Sequence, residues 1–278
     1  MKTAVSGFIS HLRDEEHKSE NTCLSYERDL RQFSVWADAR HLANITDISA
    51  SDLSDYRDSL ESAGKSPATV SRACASLKAL FSYARKEGMI VSDISESLRA
   101  PKVFKKRPDI LSDREVLRLL SAPDEKNPKG KRDKAMLELL WDTGMRVSEL
   151  LGIRNGDISL QKDSVKIGGG RERTVPFDKK TEKYIRDYLE NAREKLLSGG
   201  TDSGFLFLNV SGESMSRQGF WKVLKKYGEL AGIEQEITPH TLRHSYAAHA
   251  LRNGKDIKEV QMVMGHADAA TTQGYLEF

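Results

Sequence analysis

Cysteine is almost absent from this chain: Cys23 and Cys74 are the only two in 278 residues. Two thiols cannot build a disulfide framework or a metal site of standard spacing. Both fall on the apolar face of a predicted helix, where a buried, reduced thiol is the ordinary role. Long hydrophobic runs are missing too, and no stretch reaches the length that spans a bilayer. The N-terminus meets His11, Arg13, Asp14 and Glu15 before an apolar signal-peptide core can form. A cytoplasmic location without a membrane partner is the expectation. There is no internal repeat, no low-complexity tract and no carboxylate cluster of the kind a metal-dependent nuclease uses. A large charge excess is also lacking: 44 Lys and Arg stand against 41 Asp and Glu, a net charge of +3, with a pI near 8.7. So mild an excess fits nucleic-acid binding and equally many small-molecule enzymes.

What is present is mostly helical periodicity. Val5, Phe8, Ile9 and Leu12 mark one amphipathic helix; Cys23, Tyr26, Leu30, Phe33 and Ala37 mark a second. Leu53, Tyr56 and Leu60 fit a third, stopped by Gly64. Ser66-Pro67 opens a fourth that keeps its period through Ala84 until Gly88. Four short helices with short connections make a small bundle over residues 1–100. Residues 101–109 form a basic linker, with Lys102, Lys105, Lys106 and Arg107 between Pro101 and Pro108.

Residues 110–278 read as a mixed α/β domain dominated by helices. A helix starts near Ser112, another runs from Lys134 to Trp141 and breaks at Gly144, and two β-rich runs joined by glycines around 164–177 form a hairpin. A further short strand is expected over Phe205-Leu206-Phe207-Leu208. The fold class is therefore mainly α with a small β-sheet.

Four local clusters can carry chemistry. Thr143-Gly144-Met145-Arg146-Val147-Ser148-Glu149-Leu150 sets an arginine at a helix–helix corner, commonly a surface ion-pair position. Thr238-Pro239-His240-Thr241-Leu242-Arg243-His244 begins with a good cap and a good first helical residue. His240 and Arg243 lie one turn apart near the electropositive end of that helix, an arrangement that collects an anion. His266 follows Gly265 as a C-terminal capping histidine would. Tyr275, taken alone, is an ordinary packing tyrosine.

Together, in the order Arg…His-x-x-Arg…Gly-His…Tyr, these segments resemble the tyrosine recombinase family of site-specific recombinases and phage integrases. The likeness extends to His240-Thr241-Leu242-Arg243-His244-Ser245-Tyr246-Ala247 and to Met264-Gly265-His266 with Tyr275 behind it. It is nearest to the short Xer-type members and covers essentially the whole chain. The resemblance implies a SAM-like core-binding domain over residues 1–100 and a catalytic domain over 110–278. It implies Arg146, His240, Arg243 and His266 as the phosphate-binding set and Tyr275 as the nucleophile. The product would be a 3′-phosphotyrosyl link and a free 5′-hydroxyl, made without ATP, metal or other cofactor. The implied partner is a double-stranded DNA target site closed on by both domains, with self-assembly to a tetramer on paired sites and a paralogous recombinase as a further candidate. On the N-terminal side, the helix from Ser66 to Glu87, with Lys65, Arg72, Lys78, Arg85 and Lys86, is the candidate for the major groove; the same residues also suit the solvated face of a core helix.

Two positions depart from the family pattern. Members usually carry a lysine in the hairpin turn that protonates the leaving 5′-oxygen. Here Gly168 stands in its place, and Lys166, roughly 6–7 Å back along the strand, or Arg171 is the candidate substitute. Only Leu276, Glu277 and Phe278 follow Tyr275, where members commonly continue into a subunit-docking helix, so cleavage is a firmer expectation than efficient recombination. The competing expectations are a DNA-binding relative with weakened catalysis and a nicking enzyme like type IB topoisomerases.

Overall fold

The computed structural model describes residues 1–103, 109–168, 172–197, 201–265 and 275. The chain divides into two compact units, Met1–Lys106 and Arg107–Phe278.

The first unit contains α1 (Lys2–Asp14), α2 (Glu20–Asp38), α3 (Ala50–Ser62) and α4 (Pro67–Lys86). These are the four helices that the apolar spacing predicts. Their starts are set locally: the Ser19, Ser49 and Ser66 hydroxyls accept from the N–H groups of Thr22, Asp52 and Thr69. Each thereby satisfies a donor that the first helical turn leaves open. Phe8, Leu30, Phe33, Leu53, Tyr56, Leu77 and Phe81 fill the core between them. Both cysteines are free and buried, and burial pushes the Cys74 thiol up. Lys65, just before α4, and Arg85 and Lys86 at its end are exposed. Arg72, also exposed, is paired with the buried Asp29, its Nε and Nη2 each donating to that carboxylate at 2.8 Å.

The second unit runs α5 (Asp113–Ser121), α6 (Pro128–Thr143), α7 (Val147–Gly152), β1 (Ile158–Ser159), β2 (Ser164–Ile167), β3 (Arg173–Pro176), α8 (Lys179–Asn191), α9 (Arg193–Leu197), α10 (Arg217–Leu230), α11 (Pro239–Arg252) and α12 (Ile257–Met264). The three strands form one antiparallel sheet in chain order, with Val165 opposite Val175 and Ile167 opposite Arg173. Val165, Ile167 and Val175 turn into the core, while Lys166 and Thr174 face outward, as the period of two requires.

Two sequence expectations need correction here. The helix placed at Lys134 begins at Pro128, because Asn127 Oδ1 caps it by accepting from Gly130 N–H at 2.8 Å. Its first turns are polar in sequence yet buried in the fold: Arg132 pairs with Asp133, and Lys134 with Glu138. The segment 205–208 is not a strand but makes two isolated bridges, Arg154 to Phe205 and Leu208 to Ser214. Its main-chain groups are satisfied by a loop and by side chains, Leu206 N–H by Ile153 O at 2.8 Å and Leu208 O by Arg132 Nη1 at 2.8 Å. A run of four apolar residues does not show which partner will take its hydrogen bonds. Among the described residues no helix is long and apolar enough to cross a membrane.

Candidate active site

The site is built on the first two turns of α11. The Thr238 hydroxyl accepts from Thr241 N–H at 3.1 Å, and Pro239 takes the first helical position. The helix is then locked by Ser245, whose hydroxyl donates to Thr241 O and accepts from Leu111 N–H, both at 2.8 Å. His240 is exposed, His244 half-buried and Arg243 buried.

Two helix C-termini converge on Arg243. α6 ends at Gly144 with φ +55°, and α12 ends at Gly265 with φ +65°. Any side chain would be strained at either position, and a Cβ on Gly144 would lie 2.2 Å from the Tyr246 ring. Carbonyls at a helix end have no partner within the helix and carry its negative dipole. Here they hold cations: Arg243 donates to Gly144 O at 2.6 Å and Met264 O at 2.7 Å, and Arg146 donates to Gly265 O at 2.9 Å. A guanidinium has five N–H donors, so both arginines keep donors for another ligand. Burial, and after it the charge of Arg146, lowers Arg243 to about 10, which leaves it cationic at neutral pH.

Arg146 is fixed from its other side by Glu149, three residues on. The Glu149 carboxylate accepts from Arg146 N–H at 2.6 Å and from Arg146 Nη1 at 3.2 Å. It also accepts a bidentate pair from Arg173 at 2.9 and 3.0 Å, while Arg173 Nε donates to Val263 O at 2.9 Å. Burial alone would raise the Glu149 carboxyl, but hydrogen bonds from Arg173 and from the Arg146 main chain hold it below the ordinary glutamate range. Arg173 thus ties β3, α7 and the end of α12 into one support. Its place in the sequence, inside a basic stretch beside the hairpin, gave no sign of this. The apolar alternation through Val175 assigns its strand, and a polar side chain on the inward face of that strand is the signal that could have found it.

Tyr275 is buried against Tyr246, Ala247, Val260 and Met264. Its hydroxyl meets the Nδ1 of His244, with ring centroids 5.4 Å apart. Burial raises the Tyr275 phenol, against an opposing effect of Arg243. Burial, then His240 and Arg243, lowers His244. His240 stacks on His244 with centroids 6.1 Å apart. The structure therefore brings together Arg146, Arg243, His240 and Tyr275, and adds His244, which the sequence reading quoted only as part of a motif. His266 and Arg171 lie outside the described residues. Lys166 is exposed on β2 and pairs with Glu172 at 3.2 Å; a Cβ on Gly168 would meet open space. Among the described residues no group of three or more His, Cys, Asp or Glu could hold a metal ion.

Comparison with known proteins places this arrangement. Residues 109–278 match the phage integrase family, and residues 5–88 match the phage integrase N-terminal SAM-like domain. The chain is 40% identical to the tyrosine recombinase XerD of Listeria innocua over 278 residues, covering 99% of this chain and 94% of that one. It is similar to the crystal structure of XerA recombinase, at 28% identity and a TM-score of 0.55, covering 99% of this chain and 92% of that one. It shares its fold with the XerH site-specific recombinase bound to difH substrate, at 22% identity and a TM-score of 0.76, with 99% and 82% covered. Two carbonyl-held arginines beside a buried tyrosine, on a scaffold matched from end to end, make this chain a member of the phage integrase family of tyrosine recombinases.

Proposed function

We propose that this protein cuts and rejoins double-stranded DNA at specific sites through a 3′-phosphotyrosyl intermediate on Tyr275. The observation that carries the reading is Arg243, a buried cation held by two main-chain carbonyls and left with donors for an anion. A phosphodiester under attack gains charge on its nonbridging oxygens, and Arg146 and Arg243 are planar, permanently charged donors suited to hold them. His240, exposed at the start of α11, donates to the same phosphate, as does His266. Tyr275 attacks in line, and the phosphotyrosyl bond keeps the energy of the bond it replaces, so a 5′-hydroxyl reverses the step without ATP. Glu149 and Arg173 orient Arg146 and do not touch DNA. Residues 1–100 bind DNA, 101–109 link, and 110–278 carry the chemistry, with subunits assembling on paired sites in the cytoplasm. Resolution of chromosome dimers or movement of a mobile element uses the same core chemistry.

The test is a nicked suicide duplex carrying a site selected from random DNA by wild-type binding. Wild type should form a covalent protein–DNA adduct and Tyr275→Phe none; an adduct with Tyr275→Phe overturns the assignment. Gly168 favours a second reading, a DNA-binding relative that cuts weakly for want of the leaving-group acid. We assign that acid to Lys166. Lys166→Ala should then slow cleavage of the normal duplex and spare one with a 5′-phosphorothiolate, whose sulfur leaves without a proton. Equal loss on both substrates removes Lys166 from the role.

A further inference from the structure

The phenol that must attack is neutral. Burial holds the Tyr275 proton on, and the phosphate-binding arginines do not accept protons. Some group has to take that proton as the oxygen–phosphorus bond forms, and in this family reading the first histidine of the motif is the obvious candidate. The geometry points elsewhere. His240 lies exposed, whereas His244, one turn further along α11, is half-buried with Nδ1 against the Tyr275 hydroxyl.

We propose that His244 is the general base of the cleavage step, receiving the Tyr275 proton at Nδ1. This rests on Tyr275 being the nucleophile. As the Tyr275 oxygen bonds to phosphorus, its O–H bond breaks and the proton passes to Nδ1. The bond from phosphorus to the 5′-oxygen then breaks, and that oxygen takes a proton from the leaving-group acid. In rejoining, a 5′-hydroxyl attacks, the phosphotyrosyl bond breaks, and the His244 imidazolium returns its proton to the phenol oxygen. For Nδ1 to accept, the neutral ring must carry its hydrogen on Nε2.

The surroundings keep the ring in that accepting form. Its pKa is held below the ordinary histidine value by burial, then by His240 and Arg243 of the same helix. Tyr275 faces it from the C-terminal segment. The charged groups of the other elements around α11 act beside it: Asp142 of α6 and Glu259 of α12 on Tyr246, and Arg146, Glu149 and Arg173 on Arg243. His244 is therefore neutral at neutral pH. The bound phosphate, by offsetting Arg243, makes the transient imidazolium easier to form. Because the His244 pKa is lowered, cleavage should fall only as pH drops below the ordinary histidine range.

The experiment follows adduct formation by the full chain on the same suicide duplex under single-turnover conditions from acid to alkaline pH. His244→Gln and His244→Ala should bind the duplex as wild type does. They should cleave at least about 100-fold more slowly, without the acid limb, and added imidazole should restore much of the His244→Ala rate. Cleavage within about threefold of wild type, or an unchanged pH profile, overturns the proposal. If both variants fail to fold, 15N-histidine spectra of the wild type decide it: a neutral ring protonated on Nε2 supports the role, and one protonated on Nδ1 overturns it. Tyr275→Phe separates the two claims. An adduct with that variant sinks the nucleophile itself, whereas no adduct together with normal cleavage by the His244 variants sinks the base alone.

Discussion

Arg193 and Arg243 are buried to nearly the same degree in the same unit, 8% and 6% exposed, yet they are held in opposite ways. Arg193 makes a bidentate pair with Asp202 at 2.8 and 2.7 Å, and that hydrogen bonding raises its pKa. Arg132 is likewise paired with a carboxylate, its Nε and Nη2 both donating to Asp133 Oδ1 at 2.9 and 2.7 Å. Among the described residues Arg243 has no carboxylate within salt-bridge distance, only the carbonyls of Gly144 and Met264, and burial lowers its pKa. A buried charge without a counter-ion is costly to the fold. The difference teaches where to look for function. Where stability alone sets the environment, the protein supplies the anion; at Arg243 it leaves that place for the phosphate of its substrate.

The sharpest way to break the comparison is to delete each arginine. Arg243→Ala should reduce adduct formation by about 1000-fold, the scale of losing a preorganised donor to a transition-state oxyanion. Its melting temperature should fall less than that of Arg193→Ala, because losing a costly buried charge offsets the loss of donors to the Gly144 and Met264 carbonyls. Arg193→Ala should do the reverse. It loses charge-assisted hydrogen bonds and leaves the Leu206 and Phe205 carbonyls short of a donor, costing about 2 kcal/mol of stability. Cleavage per folded molecule should hardly change. Thermal melts and suicide-substrate rates on the two variants check both statements. If Arg243→Ala destabilises as much as Arg193→Ala and activity merely follows the folded fraction, Arg243 is one more structural cation.

A smaller effect is expected at Arg173, which belongs to both classes. It is paired with a carboxylate, as Arg193 is, but that carboxylate also positions Arg146. Arg173→Ala frees Glu149 to turn and lets Arg146 drift, and misplacement on the scale of 1 Å costs about 10- to 100-fold in rate. The loss should fall on the single-turnover rate and leave DNA affinity near wild type. Arg173→Lys should recover only part of it, since an ammonium cannot reproduce the two parallel bonds. A loss of affinity without a loss of rate would place Arg173 on DNA instead.

The helices were legible in the sequence because their signals are local: a serine or threonine cap, a glycine stop, and an apolar step of three or four. The site was legible only in part, and mainly as spaced words. Arg146, His240, Arg243 and Tyr275 stand out once they are read in order. That Arg243 is buried and His240 exposed does not follow from their spacing of one turn. It depends on how far α6 and α12 cover α11, which is tertiary. Nor does spacing tell which histidine meets Tyr275, since His240 and His244 share a face of the same helix. The polar first turns of α6 were missed for a related reason. Arg132, Asp133, Lys134 and Glu138 look like a solvated stretch, and only their mutual pairing lets them sit inside.

The smallest expected effect uses pH to separate the two corners. Asp202 is lowered from 3.8 to about 2, chiefly by hydrogen bonding to Arg193 and then to Gly204 N–H. A carboxyl with a depressed folded-state pKa contributes stability that is fully present above its unfolded value and is lost as pH falls through the folded one. The stability gap between wild type and Asp202→Asn should therefore be constant from neutral pH down to about 4 and close toward about 2. Because Asp202 is partly exposed, screening keeps that gap below about 1 kcal/mol, so it is best read as the difference between paired denaturant titrations. The carbonyls that hold Arg243 do not titrate, and the gap between wild type and Arg243→Ala should stay nearly flat over the same window. If that gap also closes as acid is added, a carboxylate balances Arg243 after all, and the contrast between the two corners fails.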